Sequence, residues 1–137
     1  MKALTVHPAY AMCIVTGQKT VECRTWKTSY RGPVLICSSA KKMHGSIPGH
    51  ALGVVDLVDV VPFKREHIAP SMEDGMIYNA YAWILKNPRC IEPLPVKGKL
   101  SLWNFDQDEK IVYLPKPETE EEDKALGAKY WEPLIID

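Results

Sequence analysis

The sequence predicts a single small α+β domain in which strands predominate. The chain has 137 residues, which is enough to bury one hydrophobic core. Eleven prolines and eight glycines favour many turns. Most apolar residues occur in short runs typical of strands. Together these observations indicate a loop-rich, strand-rich fold with few helices.

The N-terminal part of the chain predicts a strand, a helix and two further strands. Residues 4–6 form a short apolar strand, and residues 9–16 form a compact helix. Pro8 is tolerated in the first turn of this helix, and Gly17 ends it. Residues 17–26 alternate in character as a second strand would, and residues 34–37 are typical of a short buried strand.

The middle of the chain contains the longest strand-like run, residues 51–61. Both of its faces are apolar, so we expect it between two packed layers or bent around a small barrel, with Gly53 allowing a bend or bulge. The mixed-charge residues 62–78 predict a flap over one end. Further strands are predicted at residues 80–86, 89–96, 100–105 and 111–114.

The composition changes at Pro115, which predicts a domain over residues 1–114 and an acidic extension over residues 115–137. Thr119 and Glu122 match a capping box, which predicts a short helix that ends at Gly127. The apolar residues 130–136 are expected to dock back on the domain. The alternative is that they bind a protein partner or a second copy of the chain.

The charges are unevenly distributed although the net charge is zero. Residues 1–65 hold nine Lys and Arg against three Asp and Glu, a net charge of +6, and the rest of the chain carries −6. Such asymmetry favours a basic face for a polyanion. The alternative is that the two halves neutralise each other within the fold.

The stretch 17–26 is the strongest candidate for a site. On a strand, Thr20, Glu22, Arg24 and Trp26 would share one face, because side chains alternate every two residues. Glu22 and Arg24 would lie close enough to pair. A paired acid and base beside an aromatic ring suits a ligand site, but it also suits an ordinary solvated strand face.

The pattern Gly17-x-Lys19-x-x-Glu22-x-Arg24, placed after a strand and a helix, resembles the signature of the ASCH family, a branch of the PUA-like superfamily. Residues 25–32, 34–42, 53–56, 81–85 and 98–103 are also similar to members, so the resemblance covers about residues 2–114. It implies a PUA-like β-barrel of five to six strands, with a short helix after the first strand. It also implies a cleft between this helix and the barrel, lined by the signature residues.

The resemblance further implies a function with RNA. Members of the PUA-like superfamily commonly bind RNA, and some small ASCH proteins are ribonucleases. Another ASCH subgroup is an amidohydrolase that removes the acetyl group of N4-acetylcytidine, with a lysine and a threonine of the signature and a separate glutamate. The lysine corresponds to Lys19, but Glu22 stands at the position of the threonine. This difference disfavours the amidohydrolase.

The predicted binding residues for RNA or a nucleotide-like ligand combine cations, aromatic rings and a serine-lysine loop. The cations suit phosphates, and the rings could stack on unpaired bases. The set is Lys19, Glu22, Arg24, Trp26, Tyr30, Arg31, Ser38, Ser39, Lys41 and Lys42.

Lys19 and Glu22 are also the candidate catalytic residues for metal-independent RNA cleavage. Such cleavage needs a base for the 2′-hydroxyl and a cation for the phosphorane. A glutamate held against an arginine stays charged, which makes it a poor proton carrier. This favours Lys19 for proton transfer and a Glu22–Arg24 pair that orients the substrate. A third hypothesis is a protein-interaction module that acts through the C-terminal tail.

Neither a metal nor a cofactor is predicted. The four cysteines, Cys13, Cys23, Cys37 and Cys90, are scattered and form no CxxC pair, which is typical of reduced thiols in a cytoplasmic protein. No apolar run approaches the ~18 residues of a membrane span, and the N-terminus reads as a strand rather than a signal region.

Overall fold

The computed structural model describes residues 1–137 and contains one six-stranded sheet with short helices around it. The strands are β1 (Lys2–Val6), β2 (Val21–Arg24), β3 (Gly32–Ser38), β4 (His50–Pro62), β5 (Tyr81–Pro95) and β6 (Leu102–Asn104). The helices are α1 (Pro8–Val15), α2 (Ile68–Ser71) and α3 (Glu120–Leu126), supplemented by single helical turns. None of the helices combines the length and apolarity that crossing a bilayer requires.

The strands lie in the order β2-β5-β4-β3-β1-β6. β1 and β3 run parallel, and every other neighbouring pair is antiparallel. The sheet curls into a half-barrel, which confirms the predicted β-rich α+β fold with a helix after the first strand and another near the C-terminus.

Two predicted strand boundaries are wrong. Residues 80–86 and 89–96 were expected as separate strands, but β5 runs through Asn87 and Pro88 without a break. Asn87 takes a φ of 53° there, and its side chain donates to Asp56 of β4, so pairing resumes beyond the irregularity. Residues 111–114 form only a bridge at Tyr113, opposite Ile91, because Pro115 and Pro117 follow at once.

Helix α1 packs on the sheet through its buried residues Ala11, Ile14 and Val15. Its first turn is capped by His7, whose Nδ1 accepts from the Ala9 N–H at 3.2 Å. The main core lies between this helix and the sheet. Its largest fully buried apolar side chains include Leu4, Ile14, Ile36, Leu52, Leu57 and Trp83.

Residues 63–80, called the 63–80 excursion below, pack against the sheet edge at β2. Phe63 and Ala80 are buried with Val21 and Ala82 in a small core of their own. The excursion contains a 3₁₀ turn at Arg65–His67 followed by α2. The segment predicted as a flap is therefore attached to β2 by a hydrophobic contact.

The C-terminal segment docks back on the barrel. Thr119 caps α3 by accepting from the Glu122 N–H at 3.1 Å. The sequence predicted that Gly127 ends this helix. The helical backbone instead continues past α3, because Gly127 has helical dihedrals and a π turn follows over Gly127–Trp131. Trp131, Leu134 and Ile135 then pack against the main core. The backbone of Ile136 exchanges hydrogen bonds with Gly45 and Ser46 at 2.7 and 2.9 Å.

Gly53 lets α1 approach the sheet, which yields the first prediction. A Cβ on Gly53 would lie 2.5 Å from the Arg89 carbonyl oxygen and 2.6 Å from Val15 Cγ1. Gly53→Ala should therefore lower the free energy of unfolding by about 1–3 kcal/mol or more, because neither contact can relax without moving β5 or α1. Urea unfolding provides the measurement.

Gly75→Ala is the matched control, since a Cβ at Gly75 would meet no atom within 4 Å. It should change stability by no more than about 0.5 kcal/mol. Equal effects of the two substitutions would show that α1 does not need the close approach at Gly53.

Candidate functional site

A cleft of about 830 Å³ opens beside β2, where the end of β1, the start of α1 and the loop after β5 meet. We call it the β2 cleft. The β1–α1 junction contributes Thr5, Val6, His7 and Tyr10, and β2 contributes Glu22, Cys23 and Arg24. The remaining lining consists of Ser39, Ala40, Glu73 and residues 96–101.

Glu22 lies at the inner wall of the β2 cleft and is 6% exposed. Its Oε2 accepts from Arg24 Nε at 3.2 Å and from Arg24 Nη2 at 3.0 Å. Its Oε1 lies 3.5 Å from Lys19 Nζ. A buried carboxylate is tolerated only when its charge is compensated in this way. Both oxygens of Glu22 are thus engaged by cations.

Lys19 lies beneath the β2 cleft rather than on its surface, because it is 1% exposed and does not belong to the lining. It precedes β2, in the turn after α1 that Gly17 closes with a φ of 86°. Its Nζ donates to the Ser71 carbonyl and lies 4.6 Å from the centre of the Tyr10 ring. This placement departs from the expectation that Lys19 faces a substrate.

Arg24 is the signature residue that both contacts Glu22 and is accessible to solvent. Its side chain is 24% exposed, and Nη2 also donates to the Thr5 carbonyl at 3.1 Å. A continuous series of polar contacts therefore runs from Ser71 through Lys19, Glu22 and Arg24 to Thr5. It ties the 63–80 excursion to β2, and β2 to β1.

The serine-lysine loop reaches the β2 cleft only in part. Ser39 lines the cleft, whereas Ser38 is buried and bonds the backbone of His50 as both donor and acceptor. Lys41 and Lys42 are exposed next to Ala40 but do not line the cleft.

The other predicted binding residues lie away from the β2 cleft. Trp26 packs edge-on against Trp83, with ring centroids 4.7 Å apart, because β2 ends at Arg24 and the strand alternation does not extend to Trp26. The Tyr30 hydroxyl donates to the Pro33 carbonyl at 2.7 Å. Arg31 donates to nearby backbone carbonyls and lies 3.7 Å from Asp59.

Of the residues that line the cleft, the sequence predicted only Glu22, Arg24 and Ser39, and it missed above all Tyr10, Glu73 and the 96–101 loop. This loop follows β5 and precedes β6, and the pairing of β6 with β1 carries it to the cleft. Gly98 packs so closely on Thr5 that a Cβ would lie 2.7 Å from its side chain. The available signal in the sequence was a glycine between two lysines, Lys97-Gly98-Lys99.

Two groups of the β2 cleft that could act as nucleophiles, the Tyr10 phenol and the Cys23 thiol, have raised pKa values. Burial, followed by the carboxylates of Glu73, Asp74 and Glu22, raises the pKa of the Tyr10 phenol. Burial, followed by the charges of Glu73 and Glu22, likewise raises the pKa of the Cys23 thiol. Both groups therefore stay protonated above their ordinary range, and neither is activated for attack.

Comparisons with known proteins connect this arrangement to one family. The sequence model of the ASCH domain family matches residues 4–95. Activating signal cointegrator 1 from Homo sapiens is 30% identical over 130 residues, and its Mus musculus counterpart is 27% identical over 130 residues. Each alignment covers 75% of this chain, which spans only 22% of the length of each relative.

Among solved structures, an ASCH protein from Zymomonas mobilis has a similar fold, with a TM-score of 0.52 and 16% sequence identity. The match covers 93% of this chain and 94% of that protein. The likeness extends over the curled sheet and its helices.

The compensated charge of Glu22 yields the second prediction. Glu22→Gln leaves the Lys19 cation buried without an anion, so we expect a loss of about 3–5 kcal/mol in the free energy of unfolding. Thermal and urea unfolding measure this loss.

Glu120→Gln is the matched control, because Glu120 pairs with Lys124 on the surface at 84% and 77% side-chain exposure. This substitution should cost no more than about 0.5 kcal/mol. If Glu22→Gln were equally mild, the buried charge network would not be a structural requirement.

Proposed function

Because the chain belongs to the ASCH domain family, we propose that it binds RNA or a nucleotide-like ligand in the β2 cleft. The family is associated with RNA binding. The observation that carries the proposal is the charge of the lining. Arg24, Lys97 and Lys99 carry three positive charges against the two negative charges of Glu22 and Glu73, and the buried Lys19 beside Glu22 adds a fourth positive charge. The accessible charge is therefore positive, as a phosphate backbone requires.

The three cations come from two different elements that line the cleft. Arg24 belongs to β2, and its guanidinium is oriented by Glu22 and Thr5. Lys97 and Lys99 are exposed on the 96–101 loop, next to the close contact of Gly98 with Thr5. A fixed guanidinium suits a phosphate geometrically, and the two exposed lysines add charge.

Ring and apolar surfaces in the cleft suit an unpaired base. His7 and Tyr10 lie side by side with ring centroids 5.9 Å apart, and both line the cleft. Leu100 adds an exposed apolar side chain on the 96–101 loop. Stacking on such groups tolerates any base, which suits single-stranded RNA. These residues take over the role that the sequence had suggested for Trp26 and Tyr30.

The chemistry of the cleft favours binding over hydrolysis. Lys19 is enclosed by Ser71, Glu22 and Tyr10, so it cannot take a proton from a ligand without leaving its contacts. The acetylcytidine amidohydrolase hypothesis needs a threonine hydroxyl where Glu22 lies, and both oxygens of Glu22 are engaged. Cys23, the adjacent nucleophile, has its pKa raised by burial.

The third prediction tests the cations of the 96–101 loop. In fluorescence anisotropy with a labelled single-stranded RNA, the variant Lys97→Met/Lys99→Met should bind at least about tenfold more weakly. Each lost phosphate contact should also reduce the slope of log affinity against log salt by about 0.7. Lys116→Met/Lys124→Met removes the same charge from exposed positions in the C-terminal extension and should leave affinity and slope unchanged.

Two results would contradict the proposal. One is equal weakening by both double variants, which would mean that only net charge matters. The other is release of acetate from N4-acetylcytidine by a protein with no affinity for RNA. Gel analysis of the same RNA after incubation detects any cleavage, and intact RNA is the expected result.

A further inference from the structure

Lys19 uses all of its bonding capacity inside the protein. Its ammonium group has three protons, and three groups surround it: the Ser71 carbonyl, the Glu22 carboxylate at 3.5 Å and the Tyr10 ring at 4.6 Å. Its side chain is 0% exposed. Because it is fully buried, the ammonium group does not reach a ligand in the cleft. Lys19 therefore acts through the segment that it contacts, which contains Ser71.

What Lys19 holds is the end of α2. The backbone N–H of the next residue, Thr20, donates to the Pro70 carbonyl at 3.0 Å, so residues 19 and 20 bond two consecutive carbonyls of the excursion. Helix α2 has only four residues, and Met72 follows it with a φ of 62°. So short a helix has little stability of its own, so these two contacts fix where it ends.

Ser71 links the end of α2 to Glu73 through its hydroxyl group. The Ser71 hydroxyl donates to the Ile68 carbonyl at 2.7 Å and accepts from the Glu73 N–H at 3.3 Å. Glu73 lines the β2 cleft, and no hydrogen bond or ion pair engages its carboxylate. It thus differs from Glu22, whose oxygens are both occupied. Glu73 is the carboxylate of the cleft that remains available to a ligand.

We infer that Lys19 is a positioning residue that holds α2 so that Glu73 can read an amino group on a bound base. A carboxylate accepts from the exocyclic amino groups of cytosine, adenine and guanine, whereas uracil offers none at the corresponding position. The inference rests on the proposed function for its ligand, but the anchoring of α2 by Lys19 does not. It predicts that the cleft prefers amino-bearing bases to uracil.

The test compares oligocytidine with oligouridine of equal length across a series of salt concentrations. The wild-type protein should prefer oligocytidine by about tenfold, the discrimination of one good carboxylate contact. Glu73→Gln should reduce this preference at least threefold. Lys19→Met should do the same while leaving the salt slope unchanged, because no phosphate contact is lost. Lys124→Met is the control and should keep both the preference and the slope.

Hydrogen exchange provides a readout that needs no RNA. Lys19→Met should speed amide exchange at residues 68–73 at least tenfold relative to β3 and β4. Ser71→Ala keeps the carbonyl that Lys19 bonds but removes the hydroxyl contacts to Ile68 and Glu73. It therefore tests the same link should Lys19→Met fail to fold, and it should weaken the base preference with Lys19 in place.

Several results would overturn the inference. A salt slope reduced by about 0.7 in Lys19→Met, with the base preference retained, would show that Lys19 contacts phosphate directly. A wild-type protein without preference for oligocytidine, or a Glu73→Gln variant that keeps the full preference, would remove the role of Glu73. A Ser71→Ala variant that keeps the full preference would remove the link between Lys19 and Glu73. If neither RNA binds, the proposed function fails. Unchanged amide exchange at residues 68–73 in Lys19→Met would separately refute the anchoring of α2 by Lys19.

Discussion

The β2 cleft depends on the contact of one buried carboxylate, that of Glu22, with two cations. Arg24 lies at 3.0 Å on one side and Lys19 at 3.5 Å on the other. A charge buried without a partner costs several kcal/mol, so the buried Glu22 and Lys19 each require a charged partner. Through these cations the network reaches Thr5 on β1 and Ser71 on the excursion. One electrostatic constraint thus fixes the relative positions of three walls of the cleft.

The same constraint divides the signature residues by role. A quarter of the Arg24 side chain is exposed, and Arg24 lines the cleft. Lys19 is buried and contacts only other groups of the protein. Glu22 orients both cations and has no free oxygen for proton transfer. The groups that we propose to face a ligand lie far away in the sequence, on the 96–101 loop and at Glu73. The separation of the buried network from the proposed binding surface favours a binding role over cleavage.

Features set by neighbouring residues could be predicted from the sequence, and features set by distant contacts could not. The end of α1 before Gly17, the apolar run of β4 and the Glu22–Arg24 pair are all local, and each has its predicted character in the structure. β5 continues through Asn87-Pro88 because it pairs with β4 on both sides, and this distant pairing explains why Asn87-Pro88 was mistaken for an end. The approach of the 96–101 loop and Glu73 to β2 needs the β6–β1 pairing and the Lys19–Ser71 contact, which no local pattern encodes. Trp26 was assigned to the cleft by alternation, but the strand stops two residues earlier.

We propose that the wall built on Glu22 and Arg24, together with the 96–101 loop, forms the surface that receives RNA. Titration of the isotope-labelled protein with single-stranded RNA, followed by backbone amide resonances, locates this surface. We expect the largest shifts to cluster at Arg24, Ser39, Glu73 and residues 97–101, while the amides of α3 stay unchanged. Shifts centred on other exposed basic residues, such as Lys64 and Arg65, with none at the β2 cleft, would contradict it.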